Sequence, residues 1–218
     1  MRLLLLVIAI FFLVDVSAQP FIEEISAFRK TDSLVNTPKG KILFVGSSTF
    51  TKWKDVAIYF PGFPIVNRGF GGSSLTDVIR YVDDVIIRYA PKQIFIYCGE
   101  NDFAANASLP VDSVVSRFKQ LTAIIRSKLK PSVQIHYISM KPSVARWNMQ
   151  AKFIAANQGI KEFISSQKNM QYIDLQAPMM DSTGERVRKD IFIQDNLHMN
   201  AIGYTIWQQV LAPYLMRL

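Results

Sequence analysis

Short apolar segments rich in β-forming residues alternate with amphipathic helical patterns along this chain, and no other feature restricts its fold as much. The candidate strands are residues 41–45, 64–67, 93–98, 133–138 and 171–174. The first and third are apolar without alternation, as expected of strands covered on both faces. Between them, Leu75, Val78, Ile79, Val82, Ile86 and Tyr89 recur at helical spacing. So do Val114, Val115, Phe118, Leu121, Ile125 and Leu129, then Phe153, Ile154, Ile160, Phe163 and Ile164. Ile202, Ile206, Val210 and Leu211 form the last such stripe. Pro91, Pro131 and Pro213 punctuate the ends of three of these helices. The alternation predicts an α/β fold, a parallel sheet between layers of helices. With 218 residues, 50% of them hydrophobic, the chain can bury a substantial core as one domain. No repeat at a solenoid period interrupts the pattern.

The first eighteen residues read as an address. Arg2 precedes an apolar run from Leu3 to Val14, and Val16-Ser17-Ala18 offers small residues for a peptidase before Gln19. Twelve residues reach only about 18 Å as a helix, short of the ~30 Å hydrocarbon core. The expectation is a cleaved leader over residues 1–18 and a domain over 19–218, secreted or periplasmic, with no stable membrane insertion after cleavage. An uncleaved anchor is the alternative. No Cys follows the run, which excludes a lipoprotein attachment.

Cleavage would remove Arg2 and Asp15, one charge of each sign, so the formal net charge stays +8. The basic residues are scattered and come without an arginine-rich arm, zinc-finger spacing or aromatic RNA-binding motif, so no nucleic-acid partner is expected. A solvated basic surface is the simpler reading. The single cysteine, Cys98, excludes an internal disulfide framework and a multi-cysteine zinc site. Lying within an apolar strand, it reads as an inert buried thiol. There are two histidines, His136 and His198. His136 falls in mid-strand and reads as structural.

In a parallel sheet, ligands sit beyond the carboxyl ends of the strands. Gly46-Ser47-Ser48-Thr49 follows the first strand, where hydroxyls either cap a helix or hold a nucleophile above free backbone amides. Asn67-Arg68-Gly69-Phe70-Gly71-Gly72-Ser73-Ser74 follows the second, either a tight turn or an anion cradle. It is not a dinucleotide fingerprint, since Ser74 stands where the third spaced glycine belongs. Gly99-Glu100-Asn101-Asp102 follows the third strand, and Asn101 offers an amide donor there. Near the end, Asp195 and His198 stand three apart, on one face if that turn is helical. A carboxylate so placed can take the imidazole N–H and stabilise the imidazolium. The Gly-x-Ser-x-Gly elbow of common α/β-hydrolases is absent.

In this order the four blocks resemble the SGNH, or GDSL, hydrolases, across roughly residues 41–207. The resemblance implies a flavodoxin-like three-layer α/β/α sandwich around a five-stranded parallel sheet. It implies a serine esterase or acylhydrolase in which Ser48 is the nucleophile, His198 the base and Asp195 its orienter. Gly72, Asn101 and the Ser48 amide would form the oxyanion hole, and no metal or cofactor is implied. Ser47 replaces the usual Asp of the first block, which makes it a rival to Ser48 by adjacency. The family includes lipases, lysophospholipases, thioesterases and carbohydrate deacetylases. Export favours a glycan ester as substrate over other small-molecule esters, and Arg146 and Trp147 are candidates for a sugar platform. A catalytically silent glycan-binding module of the same fold, or a scaffold anchored at the envelope, are the rival readings. The sequence carries no signal for oligomeric state.

Overall fold

The computed structural model describes residues 19–217, so the expected leader lies outside the described residues. Five strands, β1 (Ile42–Gly46), β2 (Ile65–Gly69), β3 (Gln93–Tyr97), β4 (Gln134–Ile138) and β5 (Met170–Ile173), form one sheet. All pairings are parallel and the order is β2-β1-β3-β4-β5. This is the doubly wound order whose direction reverses between β1 and β3, the point beyond which such sheets hold their ligands.

The helices are α1 (Ile22–Val35), α2 (Ser48–Lys52), α3 (Val56–Tyr59), α4 (Leu75–Arg80), α5 (Val82–Val85), α6 (Glu100–Ala105), α7 (Val111–Lys128), α8 (Gln150–Ser165), α9 (Gln176–Met179) and α10 (Ala201–Leu211). Successive strand residues face opposite sides, so each central strand feeds two cores. Leu43, Val45, Ile94, Ile96, Ile135 and Tyr137 pack with α1, α4, α5, α7 and α8 on one side. Ile42, Phe44, Phe95, Tyr97 and Ile138 pack with α2, α3, α9 and α10 on the other. The second core is unusually aromatic. Trp53 stacks on Tyr204 at 4.8 Å, and Trp207 meets Tyr97 edge-on at the same separation. Truncating a ring buried like Trp207 typically costs about 3–5 kcal/mol.

Two local expectations are corrected, and one helix carries no periodic signal. Strand β2 runs on to Gly69, because Asn67, Arg68 and Gly69 keep pairing with Phe44, Val45 and Gly46. The stripe from Leu75 to Tyr89 keeps its burial but is no single helix: it breaks at Tyr81 and again at Ile86, and ends in a 3-10 turn. Val82, Val85, Ile86 and Ile87 crowd the helical turn, while Asp83 and Asp84 are drawn out to Lys128 and Arg29. Helix α1 has no counterpart in the periodicity, since it buries little beyond Ile25 and Asp32. Polar contacts hold it instead: the Asp32 carboxylate accepts from Thr37, Arg68 and Tyr89.

His136 is buried, with its ring stacked 4.6 Å from Phe95. Gln93 fixes its tautomer. The Gln93 carbonyl oxygen accepts from the Met216 amide, which leaves its Nε2 to donate to His136 at 2.7 Å and to the Tyr214 carbonyl. His136 Nε2 is therefore an acceptor, and burial lowers its pKa to about 4. The unfolded chain, with an ordinary imidazole near 6.5, binds the proton first. Stability from this group is complete above about pH 6.5 and is lost as the pH falls toward 4, on the order of 3 kcal/mol. Urea midpoints measured across this range are expected to fall more steeply for the wild type than for His136→Gln, which keeps an acceptor but does not titrate. Parallel curves would contradict the assignment.

Candidate active site

The β1–α2 turn is forced by its first residue. Gly46 has φ +140°, and a Cβ there would come within 1.9 Å of the Tyr97 carbonyl oxygen on β3. That approach lets the Ser47 amide donate to the same oxygen at 3.0 Å, so the chain leaves β1 pinned to β3 and enters α2 at Ser48. The amide of Ser48 belongs to the first turn of α2, where N–H groups lack an intrahelical acceptor.

The glycine-rich loop is laced to this turn. The Gly46 carbonyl accepts from the Phe70 amide at 2.9 Å and from the Ser73 hydroxyl at 3.1 Å. Gly72 lies between those two attachments with φ +82°, a conformation that favours glycine. The Ser73 carbonyl in turn accepts from Asn101 Nδ2 at 3.0 Å. Asp102 closes the circuit: its carboxylate accepts from the Leu75 amide at the start of α4 and from Arg117. The loops after β1, β2 and β3 thus form one hydrogen-bonded rim.

Asp195 and His198 reach the rim by a different local structure from the helical turn expected. No helix lies between Met179 and Ala201, and Asn196 is left-handed at φ 55°. One Asp195 oxygen, Oδ1, accepts from the backbone amides of Leu197 at 3.0 Å and His198 at 2.8 Å, the self-bonding by which Asp side chains displace helix. The other, Oδ2, meets His198 Nδ1 at 2.6 Å. His198 Nε2 stands 2.8 Å from Ser48 Oγ, across 150 positions of sequence. Two contacts hold the segments in register: Asn200 caps α10, and the Tyr204 hydroxyl on that helix donates to the Thr49 carbonyl at 2.9 Å.

Burial pushes the Asp195 carboxyl up, but the His198 ring and the amides of His198 and Leu197 outweigh it and hold the pKa at about 2. A carboxylate can only accept, so His198 Nδ1 carries the proton and Nε2 is left to accept from the Ser48 hydroxyl. Such a relay can take a proton from a serine oxygen as that oxygen attacks carbon. Cys98 is buried, and burial raises its thiol well above the usual range. Ser47 is buried, while Ser48 is only partly so.

Arg146 and Trp147, expected together on a sugar platform, have different surroundings. The Arg146 guanidinium turns inward, donating to Glu100 and to Asn101 Oδ1, with its side chain 17% exposed. Trp147 is 42% exposed and lines a cleft of about 620 Å³ with Gln150, Ile154, Gln176 and the 180–185 loop. The Ala145 amide donates to the Asn196 carbonyl, so the segment leading into this cleft leans on the loop carrying His198. Among the described residues, no three His, Cys, Asp or Glu side chains gather as a metal site requires. None of the helices among them is long and apolar enough to cross a membrane. Ser73, Glu100 and Tyr204 were missed by the sequence reading, because each acts through partners on another element.

The chain matches the GDSL-like Lipase/Acylhydrolase family over residues 32–206 and belongs to it. Solved structures share the fold at low identity. A Streptococcus pneumonia protein described as a candidate platelet activating factor is 22% identical, with a TM-score of 0.75, covering 89% of this chain and 92% of its own. A GDSL-like lipase from Bacteroides thetaiotaomicron is 15% identical, with a TM-score of 0.73 over 87% and 96% of the two chains. A catalytic mutant of an acetylxylan esterase from Geobacillus stearothermophilus is 15% identical, with a TM-score of 0.63 over 81% and 94%. No curated protein matches the chain.

The turn at Gly46 is the strictest demand in the rim. Gly46→Ala is expected to lower unfolding stability by about 3 kcal/mol through the strained φ and the clash with Tyr97. Chemical denaturation measures this, and an unchanged midpoint would show that the elbow does not depend on the glycine.

Proposed function

We propose that this chain is an exported serine esterase that cleaves carboxylic esters through an acyl-enzyme, with an O-acetylated carbohydrate as its substrate class. The observation that carries the reading is the 2.8 Å approach of Ser48 Oγ to a His198 whose other nitrogen is held by Asp195. Ser48 Oγ bonds to the acyl carbon while its proton passes to His198 Nε2, and the carbonyl oxygen becomes an oxyanion. The Ser48 and Gly72 amides and Asn101 Nδ2 are its donors; losing one such donor typically costs about 10²–10³ in rate. Collapse breaks the bond to the alkoxy oxygen, which leaves with the proton from His198. Water, deprotonated by His198, then attacks the acyl carbon, and release of the acid restores Ser48.

Support for a sugar on the alcohol side comes from the exposed Trp147 indole in a cleft that also holds Gln150, Gln176, Ser182 and Thr183. An aromatic face beside amides and hydroxyls suits a polyol ring. The likeness to an acetylxylan esterase points the same way. Export rests on the leader read in residues 1–18 and is tested by a mature N-terminus at Gln19.

The test compares aryl acetates, long-chain aryl esters and acetylated xylooligosaccharides, using the mature protein. Ser48→Ala is expected to lose about 10³-fold or more in kcat/KM, and Ser47→Ala to stay near wild type. Full turnover by Ser48→Ala would exclude the nucleophile, and a preference for long acyl chains would exclude the deacetylase reading. Because the base must be neutral, kcat/KM should rise with pH to a plateau. Asp195, at about 2, stays a carboxylate across the neutral range, so the limb does not come from it. A rate that does not change with pH would contradict general-base catalysis.

A further inference from the structure

Behind Asn101 lies a buried ionic cluster that the esterase mechanism leaves unused. The Glu100 carboxylate is buried and receives three donors. Tyr97 donates its hydroxyl to Oε1, Lys141 Nζ stands 3.5 Å from the same oxygen, and Arg146 donates to Oε2 at 3.0 Å. Lys141 is itself only 1% exposed. Two basic side chains therefore face one carboxylate, Lys141 buried and Arg146 partly so, one residue from the oxyanion amide. Taking charges out of water is costly, and a surplus cation there needs a further partner. That partner is Asn101: the second terminal nitrogen of Arg146 donates to Asn101 Oδ1 at 2.8 Å.

This contact decides which end of the amide faces where. Asn101 Nδ2 donates to the Ser73 carbonyl, and Oδ1 accepts from Arg146. A flipped amide would set its NH₂ against guanidinium N–H groups and its oxygen against the Ser73 carbonyl, two repulsive pairings in place of two bonds. A flip would also turn an oxygen toward the developing oxyanion. A cation on the carbonyl end further polarises the amide and strengthens its N–H donors. We infer that Arg146, anchored by Glu100, is a positioning residue that sets the orientation and donor strength of Asn101 in the oxyanion hole. The inference rests on the esterase reading. It displaces Arg146 from the sugar platform and leaves that surface to Trp147.

Removing Glu100 would strand the buried Lys141 ammonium, so Arg146 is the better probe: without it, Tyr97 and Lys141 still hold Glu100 through Oε1, and only Oε2 loses its partner. The experiment measures kcat and KM on a short-chain aryl ester for wild type, Arg146→Ala, Arg146→Lys, Asn101→Ala, the Asn101→Ala/Arg146→Ala double variant and Ser48→Ala. Arg146→Ala is expected to lose about 10–100-fold in kcat with KM within about twofold, since the effect is confined to the transition state. The double variant should match Asn101→Ala alone within about threefold, because Arg146 has nothing to act through once the amide is gone. Arg146→Lys keeps the charge but lacks the fork that bridges Glu100 and Asn101, and should lose about 3–10-fold in kcat. Losses that multiply in the double variant, a loss confined to KM, or a wild-type kcat in Arg146→Lys would each overturn the proposal. The Lys variant carries the test if the Ala variant fails to fold. Wild-type activity in Ser48→Ala would instead overturn the esterase reading itself.

Discussion

Parallel strands cannot be joined by hairpins, so each connection must cross a face of the sheet and return to the same starting edge. Every strand therefore ends on one rim, and in this chain that constraint does most of the assembly of the site. The loops after β1, β2 and β3 arrive side by side because β1 lies between β2 and β3. Short hydrogen bonds then suffice to lace them, with the Gly46 carbonyl serving the second loop and Ser73 passing the connection to the third. The polar backbone groups of the rim are paired with one another and with side chains of the neighbouring loops.

The last member of the site comes from the other end of the chain, and aromatic packing brings it there. Helix α10 presses Tyr204 and Trp207 onto Trp53, Phe50 and Tyr97, all under or beside the β1–α2 elbow. The Tyr204 hydroxyl adds a polar contact next to Ser48. A non-directional force thus delivers the segment, and directional bonds set its register. Asp195 serves twice in that setting, with one oxygen shaping the backbone turn and the other orienting the imidazole.

Much of this was legible along the chain. Apolar runs in β1 and β3, and helical stripes in α7, α8 and α10, announced the layers, because burial on two faces or one leaves different periodicities. The site blocks were legible because each occupies a strand end, where polar residues interrupt an apolar pattern. Helix α1 was not, since charged contacts such as Arg68 with Asp32 hold it and these leave no periodic trace. The break at Tyr81 was hidden for the opposite reason: the burial pattern runs on through it. Arg146 was read as a surface residue because its partners, Glu100 and Asn101, come from a different strand's loop.

The sequence by itself determined the alternation of elements, and with it a parallel α/β sheet and a rim carrying serine, glycines, asparagine and histidine in that order. These follow from local periodicity and from which residues strand ends tolerate. Only the tertiary structure decided that Ser48 rather than Ser47 meets His198, that an Asp-centred turn rather than a helix presents the imidazole, and that Arg146 faces inward toward Asn101. Those outcomes depend on distances between residues far apart in the chain, set by packing and hydrogen bonding that no local pattern encodes.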